Sequence, residues 1–211
     1  MTFPFDVTVA SSVRTAVGRA NKGTLRHTRP DDLAATAMQG ALDRVEGLDP
    51  AKVEDVILGC AFPEGEQGLN IARNAIFLTS LPSTTSGETI NRFCASGLQA
   101  IAHGAMSVQS GIADAVLAGG VESMSSVPMG GNKVSLHPKL VDEKPEVYIG
   151  MGHTAERVAK RFEVSREDQD KFAAWSHEKA LKAIAEGKFE KEIVSVQARL
   201  FDGSNLTEKE F

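Results

Sequence analysis

The chain has 211 residues, of which 42% are hydrophobic and 24% are charged, and its formal net charge is −5. This size and composition predict an ordinary globular protein with one or two domains and a sizeable core. The acidic balance and the lack of a basic tract argue against nucleic acid as a partner, and no apolar stretch is long enough to span a membrane.

The amino terminus and the cysteines indicate an intracellular protein. Residues 1–6 show no basic region followed by an apolar run, so we expect no secretory signal. The two cysteines, Cys60 and Cys94, provide neither a disulfide framework nor a four-ligand zinc site. We therefore expect a reducing, cytoplasmic compartment and no metal site.

The amino-terminal part of the chain alternates aliphatic runs with helical patterns. A helix is predicted after Pro30, because apolar residues recur at helical spacing from Ala34 to Val45. Strands that alternate with helices predict a layered α/β fold with a mainly parallel sheet. The predicted strands are residues 7–10, 53–58, 88–91 and 115–118.

Charge density divides the chain into two parts. Residues 74–131 contain few charged side chains, and we expect them to be buried on several sides. Residues 142–192 are rich in charge and predict helices with one solvated face. A boundary is expected within 125–145, which is rich in proline and glycine. We therefore predict an α/β domain over 1–124 and a helical domain over 125–211.

Within the charged part, the patterns at 155–162 and 173–184 predict two amphipathic helices. Ser165 begins Ser-Arg-Glu-Asp, which resembles a capping box because a side chain three residues on can reach back to the cap. Gly187 suits the end of the second helix. A short strand is predicted at 193–196.

The sharpest feature is the segment 89–99, Thr-Ile-Asn-Arg-Phe-Cys-Ala-Ser-Gly-Leu-Gln. A strand runs into a turn, and a helix is expected to start at or just after Cys94. A cysteine at a helix N-terminus meets unpaired backbone N–H groups and the positive end of the dipole, which favour the nucleophilic thiolate. The same N–H groups can hold an oxyanion. The expected apolar stripe of this helix is Leu98, Ile101, Ala102, Ala105 and Val108.

The alternative for Cys94 is a buried structural cysteine that acts as a small hydrophobe, and spacing alone does not decide between the two. A nucleophilic cysteine usually needs a base. His103 lies nine positions after Cys94 on the same predicted helix, roughly 13 Å along its axis and beyond hydrogen-bond reach. The sequence thus provides a nucleophile without an evident partner. The remaining histidines are predicted to be surface residues: His27, His137, His153 and His177.

Two glycine-containing segments are candidate sites. Residues 150–155 have the G-x-G-x-x-A form of a dinucleotide fingerprint. The fingerprint needs a strand before it, and residues 147–149 have only a weak strand pattern, which favours a simple turn into a helix. Gly119 and Gly120 follow a predicted strand and lead to Glu122, at a position where α/β sites collect. Glu122 is either a site residue or, as we favour, a carboxylate that holds a neighbouring loop by hydrogen bonds.

Taken together, these segments resemble the thiolase family, either 3-ketoacyl-CoA thiolase or acetyl-CoA acetyltransferase. The matches run in order along nearly the whole chain, which is identified as an N-terminal thiolase half. The Arg-Phe-Cys variant and the Gly59-Cys60 pair favour the degradative 3-ketoacyl-CoA thiolases over the biosynthetic type. The similar segments are 65–73, the acyl-enzyme motif 91–101, the segment 119–125 after it, and the loop-domain segments 151–156 and 165–170.

The resemblance implies a thiolase-like layered fold, with an α-β-α N-terminal half and part of a helical loop domain, 125–211, that covers CoA. It implies that Cys94 attacks the keto group of a 3-ketoacyl-CoA and carries the acyl group as a thioester. Met151 would line the acyl pocket. Coenzyme A is then a substrate, no cofactor is needed, and the setting is fatty acid metabolism in a cytoplasmic homo-oligomer.

The resemblance also implies that part of the site is missing. Family thiolases are about twice as long, and their second half supplies an Asn-Glu motif, a Gly-His-Pro histidine that activates the nucleophile, and a second catalytic cysteine. We therefore expect activity to need a complementary C-terminal thiolase half. The alternative is a truncated, catalytically silent protein that binds acyl-CoA or serves as an assembly partner. Alone, this half is expected to expose a large apolar face and to dimerise or aggregate.

Overall fold

The computed structural model describes residues 6–211, which form two compact units: 6–133 with 192–211, and 134–191. Among the described residues, no helix is both long and apolar enough to cross a membrane. The first unit contains helices α1 (Pro30–Asp43), α2 (Ile71–Ile76) and α3 (Ser96–Gln109), strands β1 (Asp55–Gly59), β2 (Ser86–Ile90), β3 (Val116–Gly120), β4 (Gln197–Phe201) and β5 (Leu206–Glu210), and 3₁₀ helices at Thr24–His27, Pro50–Lys52 and Gly65–Gln67.

The predicted domain bounds, 1–124 and 125–211, differ from these units. The first unit changes to the second after Lys133, inside the stretch 125–145 that is rich in proline and glycine. The end of the chain, however, belongs to the first unit. There the Arg14 N–H donates to the Glu192 carbonyl at 2.8 Å, and the Val194 N–H donates to the Arg14 carbonyl at 2.9 Å.

A three-stranded parallel sheet in the order β2-β1-β3 forms the centre of the first unit. Residues 56–59 of the central strand β1 are buried, as expected for a strand covered on both faces. In the ladder, Ile57 lies between Glu88 and Ala118. Helices α2 and α3 cover opposite faces of this sheet: Val56 and Leu58 of β1 pack with α2, and Gly59, on the alternate face, lies against Ser96 of α3. The predicted layered α/β fold with a parallel sheet is confirmed.

One face of the sheet is covered by α1 and α2. Val56 and Leu58 of β1 pack with Met38 of α1 and with Ala72 and Ile76 of α2, and these five side chains are almost fully buried. Aliphatic burial of this kind stabilises by about 1.5–3 kcal/mol for each large side chain. This cluster is the main hydrophobic core of the first unit.

Helix α1 confirms the helix predicted after Pro30. Proline is tolerated there because the first helical N–H has no partner within the helix. Asp31 and Asp32 in the first turn stabilise the helix, because their negative charges lie near the positive end of its dipole. The helix ends at Asp43, before Val45, the last residue of the predicted stripe.

The other face of the sheet is covered by α3 through small residues. Ser96, Ala100 and Gly104 recur at i, i+4 and i+8 and are the buried residues of this helix. The predicted apolar stripe lies on the opposite side: Leu98 is 73% and Ile101 51% exposed. Small residues face the sheet because the backbones of helix and strands approach closely.

Gly59 at the end of β1 makes this close approach possible, and we expect Gly59→Ala to lower the free energy of unfolding by about 2 kcal/mol or more. A Cβ there would lie 2.3 Å from the Ser96 carbonyl carbon, so helix and strand would have to separate. Urea unfolding measures the effect. Gly152→Ala is the control, because a Cβ there meets nothing within 4 Å. If both variants had the same free energy of unfolding, the close approach at Gly59 would not limit the stability of the chain.

Two predicted strands are wrong. Residues 7–10 are not assigned to a strand, and Val9 is 75% exposed. Residues 193–196 do not form a regular strand either: Ile193 makes one isolated bridge, and β4 begins at Gln197. An aliphatic run gains strand structure only where a neighbouring strand offers hydrogen-bond partners.

The second unit is helical, as predicted. Ser165 caps the last helix: its Oγ accepts from the Asp168 N–H at 3.1 Å and donates to the Asp168 carboxylate at 2.7 Å. Gly187, with φ +63°, follows the last helix. The elements are α4 (Pro138–Glu143), a 3₁₀ helix (Pro145–Tyr148), α5 (Met151–Arg161) and α6 (Arg166–Ala185), and none of them buries a residue.

Candidate active site

The residues singled out from the sequence follow the ends of the three parallel strands. Cys60 comes directly after β1, Cys94 lies in the turn after β2, and Glu122 follows β3. The carboxyl ends of parallel strands meet at one edge of the sheet, where α/β folds place their sites. The first unit thus brings these three residues to one edge.

The turn between β2 and α3 presents Cys94 to solvent. Phe93 has φ +47°, a left-handed conformation that costs a non-glycine residue about 1–2 kcal/mol. Cys94 is exposed and precedes Ala95, the N-cap of α3. The alternative of a buried structural cysteine is therefore wrong. A strained strand-to-helix turn is the place where α/β-hydrolase enzymes expose their nucleophile.

Glu122 holds the loop after β1, which is the role that we favoured. Its Oε2 accepts from the Ala61 N–H at 2.7 Å, and its Oε1 accepts from the Gln67 side-chain amide at 2.7 Å. Gln67 is fully buried; it also donates to the Phe62 carbonyl at 2.9 Å and accepts from the Ser123 N–H. Sequence reasoning missed Gln67, because nothing local shows that this amide becomes buried.

Cys60 is part of the same cluster and is not a nucleophile. Its side chain is 1% exposed, and its Sγ lies 3.8 Å from Glu122 Oε1. Burial, with a smaller contribution from the Glu122 charge, raises the pKa of the Cys60 thiol from 9.0 to about 12. At neutral pH Cys60 therefore remains a protonated, buried thiol.

We expect iodoacetamide at pH 8 to modify Cys94 and to leave Cys60 unmodified, because alkylation needs an accessible thiolate. Peptide mapping by mass spectrometry distinguishes the two sites. In 8 M urea both thiols should react, which is the control for reagent and digestion. Modification of Cys60 in the folded chain would contradict its burial beside Glu122.

The histidines of the first unit do not supply a base for Cys94. His103 lies in a groove of about 470 Å³ between α3 and the sheet, together with Glu88 and Met106. His27 is exposed and packs edge to face on Phe201 at 6.1 Å between ring centroids. Within the first unit, Cys94 therefore has no described histidine as a hydrogen-bond partner, and its role as a nucleophile stays a prediction.

The second unit contains the other predicted features. Met151 is the first residue of α5 and is 68% exposed, and its place in an acyl pocket stays a prediction. Gly150 is the N-cap of that helix and follows a 3₁₀ helix rather than a strand, so the dinucleotide alternative is wrong. Across residues 6–211 no three His, Cys, Asp or Glu side chains cluster so as to hold a metal ion.

Residues 7–210 match the family model described as "Thiolase, N-terminal domain". The chain belongs to the thiolase family. It is 50% identical over 192 residues to a 3-ketoacyl-CoA thiolase of Bacillus subtilis, covering 91% of this chain and 49% of that one. A 3-ketoacyl-CoA thiolase of Idiomarina loihiensis is 39% identical over 207 residues, covering 97% of this chain and 53% of that one.

A solved structure agrees with these relatives. The crystal structure of the Bacillus anthracis acetyl-CoA acetyltransferase matches this thiolase chain with a TM-score of 0.79 at 35% identity. The match covers 96% of this chain and 53% of that one. The chain thus has the fold of the N-terminal thiolase half and spans about half the length of the curated relatives it matches.

Proposed function

We propose that this chain supplies the acyl-carrying nucleophile of a 3-ketoacyl-CoA thiolase, with Cys94 as the sulfur that holds the acyl group. The observation that carries the proposal is the exposed thiol of Cys94, at a strained turn before α3, in a chain of the thiolase family. The second cysteine is buried and protonated, which leaves Cys94 as the accessible sulfur.

The proposed reaction has two steps. The Cys94 thiolate attacks the C3 keto carbon of a 3-ketoacyl-CoA; the S–C3 bond forms and the C2–C3 bond breaks. The electron pair stays on C2, which takes up a proton, and acetyl-CoA leaves. The thiolate of a second CoA then attacks the thioester and displaces Cys94. Sulfur suits both steps because it is a good nucleophile and a good leaving group.

Two proton transfers in this scheme need groups from elsewhere. One group must remove the proton of the Cys94 thiol, and another must protonate C2. We propose that a complementary C-terminal thiolase half supplies both, through the histidine and the second cysteine that the family resemblance implies. Met151 would line the acyl pocket. We propose further that the enzyme is a cytoplasmic oligomer that acts in fatty acid metabolism. A reducing compartment suits the exposed thiol of Cys94.

The experiment combines this chain with the C-terminal half of the Bacillus subtilis relative. Thiolysis is followed as the CoA-dependent loss of acetoacetyl-CoA, and the adduct on Cys94 by mass spectrometry. We expect turnover in the mixture and little or none with either half alone. A mixture that forms a complex but gives neither thiolysis nor an adduct would overturn the proposal.

A second candidate is an acyl-CoA-binding protein without turnover. It is favoured by the lack of a described histidine hydrogen-bonded to Cys94 within the first unit. Isothermal titration of the chain alone with acetyl-CoA tests it: heat of binding without an adduct supports this function. No heat together with turnover in the mixture excludes it.

A further inference from the structure

Two side chains hold the backbone of the turn before Cys94. Asn91 accepts from the Phe93 N–H at 2.8 Å through its Oδ1 and donates to the Ala61 carbonyl at 2.9 Å through its Nδ2. Ser96 accepts from the Arg92 N–H at 2.8 Å and donates to the Phe93 carbonyl at 2.5 Å, both through Oγ. Both backbone polar groups of Phe93 are therefore engaged by side chains, and its carbonyl also accepts from the Ser96 backbone N–H at 3.0 Å.

These contacts act on the strained residue of the turn. A left-handed φ is unfavourable for phenylalanine, and it persists only where the surroundings impose it. The Phe93 ring is not what imposes it, since this ring is 64% exposed and has one ring neighbour, Phe62, at 6.2 Å between centroids. The contacts that remain to hold its conformation are the side-chain hydrogen bonds from Asn91 and Ser96 and the backbone bond from the Ser96 N–H.

Ser96 is itself fixed to the sheet. It is 3% exposed, and its backbone lies so close to Gly59 that no Cβ fits between them. The next residue, Gly97, has a Cα that would be 3.4 Å from a Cβ on Gly120. Ser96 thus holds the turn through its hydroxyl, while the backbone of Ser96 and Gly97 lies against the ends of β1 and β3.

We infer that Ser96, assisted by Asn91, is a positioning residue that sets the direction of the Cys94 thiol by holding Phe93 in its left-handed conformation. If Phe93 relaxed to negative φ, the chain would leave the turn in another direction and carry the sulfur with it. A displacement of about 1 Å at a reacting atom costs about a hundredfold in rate. This inference rests on the proposed function, because the direction of the Cys94 thiol matters only if this thiol accepts the acyl group.

The first test is geometric and needs no activity. Crystal structures of Ser96→Ala and Ser96→Thr are compared with that of the unchanged chain. We expect Phe93 to take a negative φ and the Cys94 Sγ to move by about 1 Å or more in Ser96→Ala, and both to stay in place in Ser96→Thr. A left-handed Phe93 with an unmoved sulfur in Ser96→Ala overturns the inference, whatever the activity.

The second test is the rate of acyl-Cys94 formation from acetoacetyl-CoA in the mixture with the C-terminal half. Ser96→Ala should lower kcat about a hundredfold with KM little changed, and Ser96→Thr should restore most of it. Cys60 should stay unreactive to iodoacetamide in Ser96→Ala, which shows that the chain is folded. The control is Ser110→Ala, which removes a 3.0 Å hydroxyl bond to the Ser107 carbonyl at the other end of α3 and should leave the rate unchanged.

The outcomes separate the inference from the proposed function. If acyl-Cys94 forms as fast in Ser96→Ala as in the unchanged chain, the positioning role is overturned and the proposed function stays intact. An unchanged chain that never acylates overturns the proposed function, and the crystal structures then still decide whether Ser96 holds Phe93. Ser96→Ala combined with Phe93→Gly should regain part of the rate, because glycine adopts a left-handed φ freely. A double variant no faster than Ser96→Ala contradicts the inference.

Discussion

Cys94→Ala is expected to abolish the acyl adduct and to lower thiolysis by the reconstituted enzyme by a factor on the order of 10⁴ or more. The expectation follows from the chemistry, because without the sulfur there is no thioester and no route that divides the reaction into two steps. Steady-state thiolysis of acetoacetyl-CoA measures the loss. Mass spectrometry of the quenched mixture shows whether any acyl group remains on the chain.

The matched control for this variant is Cys60→Ala. Cys60 is buried and protonated, so its removal should cost some stability but leave the turnover of the folded enzyme within a few-fold. The circular dichroism spectra of both variants should match that of the unchanged chain. An acyl group found on Cys60 in the Cys94→Ala variant would contradict the assignment of the nucleophile.

The isolated chain of 211 residues is expected to self-associate through the outer face of α3, giving a mass by light scattering well above 22.5 kDa. Leu98, Ile101 and Met106 are 73%, 51% and 52% exposed on this helix. The helix carries no Asp, Glu, Lys or Arg, so like-charge repulsion does not oppose contact between copies. Burying each large apolar side chain stabilises by about 1.5–3 kcal/mol.

The double variant Leu98→Glu and Ile101→Glu tests which surface is responsible. It should be monomeric at concentrations where the unchanged chain associates, and it should lose complementation by the C-terminal half if that half covers the same face. Val17→Glu is the control, because Val17 is also highly exposed, at 89%, but does not lie on α3. A compact monomer of the unchanged chain would contradict the prediction.

The three parallel strands and the helix after Pro30 could be predicted from their local patterns, whereas β4 and β5 and the false strands at 7–10 and 193–196 depend on where a pairing strand lies. The side of α3 that packs on the sheet could not be predicted. Its large apolar residues form a clear stripe, yet the sheet accepts the side formed by Ser96, Ala100 and Gly104. That choice depends on Gly59, which comes from a distant part of the chain and lets the backbones approach. A hydrophobic pattern alone does not show how closely the backbones of a helix and a strand approach each other.

The candidate site shows the same limit. The position of Cys94 before a helix could be predicted from its own segment, because strand, turn and helix are contiguous there. Gln67 and Glu122 are 55 positions apart in the chain, and their hydrogen bond exists only in the folded unit. The role of Ser96 depends on the left-handed φ of Phe93, a conformation that phenylalanine does not favour and that its sequence neighbours do not signal.

The burial of Cys60 has a consequence for oxidative damage. Peroxide oxidises an exposed cysteine to a sulfenic acid, which a nearby resolving thiol can convert to a disulfide and so protect. Cys60 is the only other cysteine of this chain, and it is enclosed beside Glu122 as a protonated thiol. Oxidation of Cys94 therefore has no rescue within the chain. A thiol from outside the chain, such as glutathione, must then cap the sulfenic acid, because further peroxide oxidises it to the irreversible sulfinic acid.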